Sequence, residues 1–262
     1  MDIADITLRQ SEREGGMLLD AAVKRRDKRL PGDVADAVAA YAAKATWPAG
    51  FVVYQRGAPA DGMFIVLRGR IVLRSRVKAG RAFVPALARG GETFGWEGLG
   101  VNAKYATDAR ADEESDTLHL SSARFREFVR EQPQQALALI GQMVDERTAL
   151  LEKLRELATL SVEQRLISSL VRLSQARMFT TDDGRIALGA AQYKLLCELV
   201  GATRESVSLV LTRLVAEGLA ERSGTTIYVA PVSALSERLE SNRADGEIPL
   251  ALAHEMSVEA RG

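Results

Sequence analysis

The chain has 262 residues and a mass of 28.5 kDa, and its 35 Lys+Arg balance 35 Asp+Glu to give a formal net charge of zero. A composition of 47% hydrophobic and 27% charged residues is typical of folded globular protein and excludes disorder throughout. The most apolar stretches are too short or too charged to cross a membrane, and the first twenty residues lack a signal-peptide pattern. One cysteine, Cys197, excludes an internal disulfide and a cysteine-held zinc or iron–sulfur site. We therefore expect a reduced, cytoplasmic protein.

Polar segments flank the body of the chain. Residues 1–30 contain a basic run at 24–29, which we interpret as a solvated or mobile arm. Residues 241–262 lack a strong period and are interpreted as a frayed or loosely docked tail. After Pro31, a stripe of Ala and Val predicts a short helix capped by Asp33.

Between Trp47 and about Leu120 the sequence consists of short apolar runs separated by glycine. Segments of strand length with turn residues every 8–12 positions or so predict a β sandwich or roll. The predicted strands are Phe51–Tyr54, Met63–Leu67, Ile71–Leu73, Phe83–Leu87 and Thr117–Leu120.

A long helix is predicted for Pro133–Ala158, where apolar residues recur at intervals of seven. Its apolar face is too wide for a single coiled-coil seam, so we expect it to contact both its own domain and a second copy of the chain. The residues expected to make the dimer contact are Leu137, Ile140, Val144, Leu151, Leu154 and Ala158.

The pattern that carries most functional information runs from Gln192 to Tyr228. After a helix that begins at Ser161, Gln192–Val200 reads as a second helix, a turn follows at Gly201, and Thr203 can cap a third helix over Arg204–Leu214. Residues 217–229 can then form a β ribbon. This order is that of a winged helix-turn-helix, in which the helix after the turn, here Arg204–Leu214, enters the DNA major groove.

The exposed first turn of the predicted helix Arg204–Leu214 has side chains suited to reading bases. Arg204 can make a bidentate contact with guanine, and Glu205 can accept a hydrogen bond from cytosine. The alternative is an ordinary helical hairpin with surface charges. The residues predicted to contact double-stranded DNA are Gln192, Thr203, Arg204, Glu205, Ser208, Leu209 and Arg213.

The whole order resembles the CRP/FNR family of bacterial transcription regulators over about residues 30–240. The resemblance rests on the glycine-punctuated segments 47–57 and 61–71, on 90–95, and on 201–208 at the opening of the recognition helix. It implies an α+β fold with a jelly-roll-like, cyclic-nucleotide-binding β-roll over 31–132. A dimerisation helix over 133–160 and a winged helix-turn-helix over 161–240 would follow. It also implies a homodimer, an inverted-repeat operator and RNA polymerase as a partner.

The segment that would bind an effector departs from the family pattern. Nucleotide-binding members have glutamate after Phe-Gly, whereas this chain has Trp96 and places Glu97 one residue later. Their Arg-Ser or Arg-Thr pair for the cyclic phosphate has no arginine counterpart here, so cAMP binding is not expected unless Lys104 or Arg110 acts from a rebuilt loop. The candidate pocket residues are Phe94, Gly95, Trp96, Glu97, Gly98, Leu99, Tyr105, Ala106 and Thr107.

Other chemistries have little support in the sequence. An iron–sulfur sensor needs several cysteines, and Cys197 suits simple packing, with a redox-sensing thiol as the alternative. His119 and His254 could ligate haem in principle, but a lone histidine is more often structural. Leu209 occupies a position where the family often has arginine, so the outer base would be read differently, for example through a thymine methyl group.

No nucleophile–base set, metal cluster or phosphate loop indicates an enzyme. The competing hypothesis is a ligand-binding regulatory module that acts on a protein partner, against which the winged helix argues.

Overall fold

The computed structural model describes residues 29–76, 82–231 and 234–235. The predictions for residues 1–28 of the arm, for His254 and for the C-terminal tail lie outside these residues. Leu30, at the end of the predicted arm, is buried in a hydrophobic cluster and is therefore not part of a solvated arm. The chain divides into two compact units, one within residues 1–160 plus 197–201 and the other within the remainder of 161–262. Within the described part of the chain, none of the helices combines the length and apolar content that a membrane span requires.

Among the described residues, the first unit contains three helices and eight strands. The helices are α1 (Gly32–Ala39), α2 (Ser122–Glu131) and α3 (Pro133–Thr159). The strands are β1 (Ala43–Trp47), β2 (Val52–Tyr54), β3 (Gly62–Arg68), β4 (Arg70–Arg76), β5 (Ala82–Arg89), β6 (Thr93–Phe94), β7 (Asp108–Ala111) and β8 (Ser115–Ser121), and a 3₁₀ turn spans Trp96–Leu99. Mixed helix and sheet, with a strand-rich N-terminal region and a long helix, confirms the predicted fold class.

Two antiparallel four-stranded sheets form the roll, with strand orders β1-β8-β3-β6 and β2-β7-β4-β5. Successive side chains of β3 point to opposite faces of the sheet, and both faces of this strand are buried. Met63 and Ile65 contact a cluster shared with α1, α2 and α3, whereas Phe64 and Val66 contact a second cluster shared with the other sheet. The roll therefore has one core between its sheets and another beneath its helices.

Two facing glycines allow the 3₁₀ turn to lie directly against β3. A Cβ atom on Gly98 would overlap the backbone of Gly62, and a Cβ on Gly62 would overlap the Leu120 carbonyl. The absence of side chains at both positions permits this close approach of two backbones. Gly98 was predicted to line an effector pocket, but in the structure it makes this packing contact.

Helix α3 begins with Pro133 in its first turn, as predicted. Ala136 and Leu139 are buried against the roll. The side chains of the predicted dimer contact are exposed in the single chain, by 60% at Leu137, 40% at Ile140, 54% at Val144, 58% at Leu151 and 65% at Leu154, and Ala158 is exposed as well.

The elements that follow residue 160 are α4 (Val162–Gln175), β9 (Ile186–Leu188), α5 (Ala190–Val200), α6 (Arg204–Ala216), β10 (Ala220–Ser223) and β11 (Thr226–Val229). Helix α4 begins with a capping box: the Ser161 hydroxyl accepts from the Gln164 N–H, and the Gln164 side chain accepts from the Ser161 N–H. The strands form a three-stranded antiparallel sheet in the order β10-β11-β9.

Several local expectations differ from the structure. Asp33 is not the cap of α1: the N-cap residue is Pro31, without a side-chain cap bond, and Asp33 lies inside the first turn. Strand β1 was missed because Ala43–Trp47 has no apolar run; it is held by its pairing with β8. Strand β7 was missed because its four residues alternate charged and small side chains.

Candidate DNA-binding surface and roll interior

Helices α5 and α6 are joined by a tight turn that is fixed by local hydrogen bonds. Gly201 has φ +67°, a left-handed conformation that favours glycine. The Thr203 hydroxyl accepts from the Ser206 N–H at 3.2 Å, which confirms the predicted helix cap. The Tyr193 hydroxyl donates to the Arg204 carbonyl at 3.0 Å and ties the opening of α6 to α5.

Helix α6 separates apolar from polar side chains as the sequence predicts. Val207, Val210, Leu211 and Leu214 are buried. The opposite face exposes the side chains predicted to contact DNA, namely Arg204, Glu205, Ser208, Leu209 and Arg213. Thr203 is also exposed, and Gln192 is half-buried in the first turn of α5. Six of the seven predicted DNA contacts are therefore accessible on or next to one helix face.

The charged side chains of α6 have partners within the second unit. Hydrogen bonds from its own backbone N–H and from Thr203 hold the pKa of the Glu205 carboxyl below its usual value. The carboxylate is therefore ionised at neutral pH and lies at the helix N-terminus, where negative charge is favourable. The Arg213 guanidinium lies 3.5 Å from the Glu163 carboxylate on α4.

Strands β10 and β11 form the predicted wing, with Gly224 at φ +57° in the connecting turn. Arg185 supports its base, since its guanidinium lies 3.4 Å from the Glu221 carboxylate and 4.9 Å from the centre of the Tyr228 ring. The tip of the wing is exposed. It is a second solvent-accessible element next to the helix-turn-helix in sequence.

Aromatic rings fill the space between the two sheets of the roll. The Tyr105 ring is buried and stacks on Tyr54, with the ring centres 3.6 Å apart and the planes at 8°. Its hydroxyl donates to the Gly62 carbonyl at 3.2 Å. Phe64 and Phe94 stack beside this pair at 4.9 Å. Tyr105 is thus a core residue of this chain.

Burial also sets the protonation of this interior. It raises the pKa of Tyr105 to about 12, and the Asp61 carboxylate acts in the same direction. Burial raises the pKa of Tyr54 as well, with Glu97 contributing. Both phenols are therefore neutral, and the nearby carboxylates make the interior a poor site for an anion.

The predicted effector-pocket residues are divided between the two cores of the roll and its surface. Phe94 and Tyr105 belong to the cluster between the sheets, whereas Trp96 and Leu99 contact the cluster beneath the helices. Gly95, at φ +77°, is enclosed by the rings of Phe64, Tyr54 and Tyr105. Of the four remaining positions, Gly98 is buried, Glu97 and Thr107 are half-buried, and Ala106 is exposed.

The two cations that could have replaced the missing arginine lie on the surface. Arg110 is exposed, and its Nε donates to the Gly50 carbonyl at 2.6 Å. Lys104 is exposed, and its backbone forms an isolated β-bridge with Pro59. Among the residues that the structure describes, no arginine or lysine is buried between the sheets.

Sequence reasoning missed Tyr54, Asp61 and Gly62 as neighbours of Tyr105. Tyr54 was predicted only as the end of a strand, and no local pattern marks a ring 51 residues before its partner. Tyr54 lies at the end of β2 and Tyr105 in the loop before β7, so the contact between their rings depends on the pairing of these two strands.

Comparison with known proteins identifies both units. The family model of the cyclic nucleotide-binding domain matches residues 44–132, and that of the Crp-like helix-turn-helix domain matches residues 164–238. The chain belongs to the CRP/FNR family of transcription regulators. This CRP/FNR regulator is 26% identical over 193 residues to the cAMP-activated global transcriptional regulator Vfr of Pseudomonas aeruginosa, covering 72% of this chain and 87% of Vfr.

Solved structures show the same fold. One is CLP of Xanthomonas campestris, a c-di-GMP responsive global regulator, with 22% identity, a TM-score of 0.67 and coverage of 76% of this chain and 99% of that one. Another is a CRP/FNR-family regulator of Thermus thermophilus, with 24% identity, a TM-score of 0.65 and coverage of 76% and 98%. This CRP/FNR-family chain is therefore a transcription regulator with a DNA-binding helix-turn-helix.

Proposed function

We propose that this regulator acts as a homodimer that reads an inverted-repeat operator through α6 and does not use a cyclic nucleotide as its trigger. The single observation that carries the proposal is the exposed first turn of α6, with Arg204 and Glu205 side by side and the helix start held by Thr203. Base edges in the major groove are read by the N-terminal residues of such a helix.

Each exposed group of α6 has a specific task in this proposal. Arg204 forms a bidentate pair with guanine, and Glu205 accepts from cytosine and rejects other bases. Arg213, more than two turns further along, contacts a phosphate while Glu163 restrains its guanidinium.

Dimerisation through α3 is supported by apolar side chains that the single chain leaves exposed. Leu137 and Leu151 lie fourteen residues apart, or about 21 Å along the helix, and Val144 lies midway between them. An exposed apolar stripe of this length is typical of a protein–protein interface. A symmetric dimer carries two copies of α6, so half-site centres are expected about 10–10.5 base pairs apart.

The roll interior supports a trigger other than a cyclic nucleotide. The Tyr105 ring occupies space between the sheets, and Glu97 accepts from the Ala106 N–H at 3.1 Å instead of presenting a free carboxylate. Among the described residues of the roll, a cyclic phosphate would meet neutral phenols and carboxylates but no buried arginine or lysine. DNA binding is therefore expected without added nucleotide.

A gel-shift assay tests this proposal directly. The purified full-length chain is mixed with fragments of its own genomic DNA and excess non-specific competitor, with and without cAMP or cGMP. We expect retardation of a subset of fragments in the absence of nucleotide, lost in the double variant Arg204→Ala/Glu205→Ala and kept in Arg126→Ala, an exposed arginine on α2. Retardation of no fragment would instead favour a module that acts on a protein partner.

A further inference from the structure

One side chain on the exposed face of α6 is apolar. Leu209 is 58% exposed, although the other apolar residues in the middle of the helix are buried. Among the described residues of the second unit, Leu209 and Val215 are the large apolar side chains that remain exposed. An exposed leucine makes no hydrogen bond that would explain its place between polar neighbours.

The position of Leu209 relative to Glu205 determines what it can reach. Residues four apart on a helix lie on the same face and about 6 Å apart along the axis. Successive base pairs are separated by about 3.4 Å. Leu209 therefore lies on the reading face, at most about two base pairs from the position that Glu205 reads.

The chemistry of the major groove limits the partner of an apolar side chain. Each base pair presents hydrogen-bond donors and acceptors there, and the apolar group is the C5-methyl of thymine. A leucine pressed against the polar edge of a G·C pair would leave buried donors and acceptors without partners, which is unfavourable.

We propose that Leu209 is a specificity-determining residue that selects a T·A pair in each half-site by contact with the thymine methyl group. This inference rests on the proposed function, because it requires α6 to lie in the major groove. It adds a base pair that neither Arg204 nor Glu205 reads.

Deoxyuridine provides a direct probe because it differs from thymidine only by the missing C5-methyl group. The wild-type chain first selects its operator from random duplexes, and each thymidine is then replaced by deoxyuridine symmetrically in both half-sites. Burial of one methyl group predicts a loss of affinity of about fourfold per half-site, or about fifteenfold for the symmetric operator.

The loss is expected at a T·A pair no more than about two base pairs from the position at which Glu205→Ala relaxes preference. For the Leu209→Ala variant, replacing that thymidine by deoxyuridine should change the affinity less than twofold, because the side chain that contacts the methyl group is gone. Val215→Ala, which truncates the other exposed apolar side chain, should keep the full wild-type sensitivity. Both replaced side chains are exposed, so these variants are expected to fold.

The outcomes separate this inference from the proposed function. If Arg204→Ala and Glu205→Ala change the selected sequence but Leu209→Ala retains the full deoxyuridine penalty, the thymine contact is wrong and the DNA-reading proposal stands. The same holds if the operator has no T·A pair at that position. If neither Arg204→Ala nor Glu205→Ala changes the selected sequence, the proposed function fails, and this inference fails with it.

Discussion

Replacing Leu151 by glutamate tests the proposed dimer contact most sharply. Leu151 exposes 58% of its surface in the single chain and lies between Val144 and Leu154 on α3. Full burial of a leucine side chain contributes about 1.5–3 kcal/mol, so burial of the exposed part contributes roughly 1–1.7 kcal/mol per subunit. Both subunits contribute, and a carboxylate in an apolar seam adds a desolvation cost of several kcal/mol. We expect the dimer dissociation constant to rise at least about 100-fold.

Sedimentation velocity over a range of protein concentrations measures this change. The wild type is expected to sediment as a dimer at concentrations where Leu151→Glu sediments as a monomer with unchanged circular dichroism. Gln134→Glu adds the same charge to an exposed position on another side of α3 and should remain dimeric. A Leu151→Glu chain that stays dimeric and binds its operator normally would refute the assignment of α3 as the interface.

Four further predictions concern the roll and the helix cap. Isothermal titration calorimetry should give dissociation constants for cAMP and cGMP no tighter than about 1 mM, since the described residues of the roll include no buried arginine or lysine; micromolar binding that raises DNA affinity would contradict this. Tyr105→Ala should lower the free energy of unfolding by about 3–5 kcal/mol and Tyr105→Phe by about 1 kcal/mol, measured by urea denaturation with tryptophan fluorescence. Because the pKa of Tyr105 is raised to about 12, the roll should lose stability as the pH rises from about 10 towards 12, and a Tyr105→Phe chain that shows the same loss would contradict that cause. Thr203→Ala should destabilise α6 by about 1 kcal/mol in thermal unfolding and weaken DNA binding in fluorescence anisotropy without changing the preferred sequence.

The elements that were predictable carry their signals locally. Thr203 caps α6 through a bond to a residue three positions on, and the buried face of α6 follows from the helical period of Val207, Val210, Leu211 and Leu214. The strands β3 and β4 have apolar runs bounded by glycine. In each case the residues that determine the structure are close together in the sequence, so the pattern predicts it.

The elements that were missed depend on contacts between distant residues. Strand β1 consists of Ala, Lys and Thr before Trp47 and is held by hydrogen bonds to β8, about seventy residues later. Sequence order likewise does not show that Trp96 and Tyr105 pack against different cores, one on each side of β3. Only the paired sheets determine which core each ring enters.

Selection of binding sites from random duplexes tests the central claim most directly. The wild type, Arg204→Ala and Glu205→Ala are each taken through the same selection without added nucleotide. We expect the wild type to enrich an inverted repeat with a G·C pair in each half-site, and Arg204→Ala to lose about 1–3 kcal/mol per half-site together with its preference at that pair. Glu205→Ala is expected to keep most of the affinity but accept more bases at its position. Identical selected sequences for all three chains would show that α6 does not read bases and would contradict the proposed mechanism.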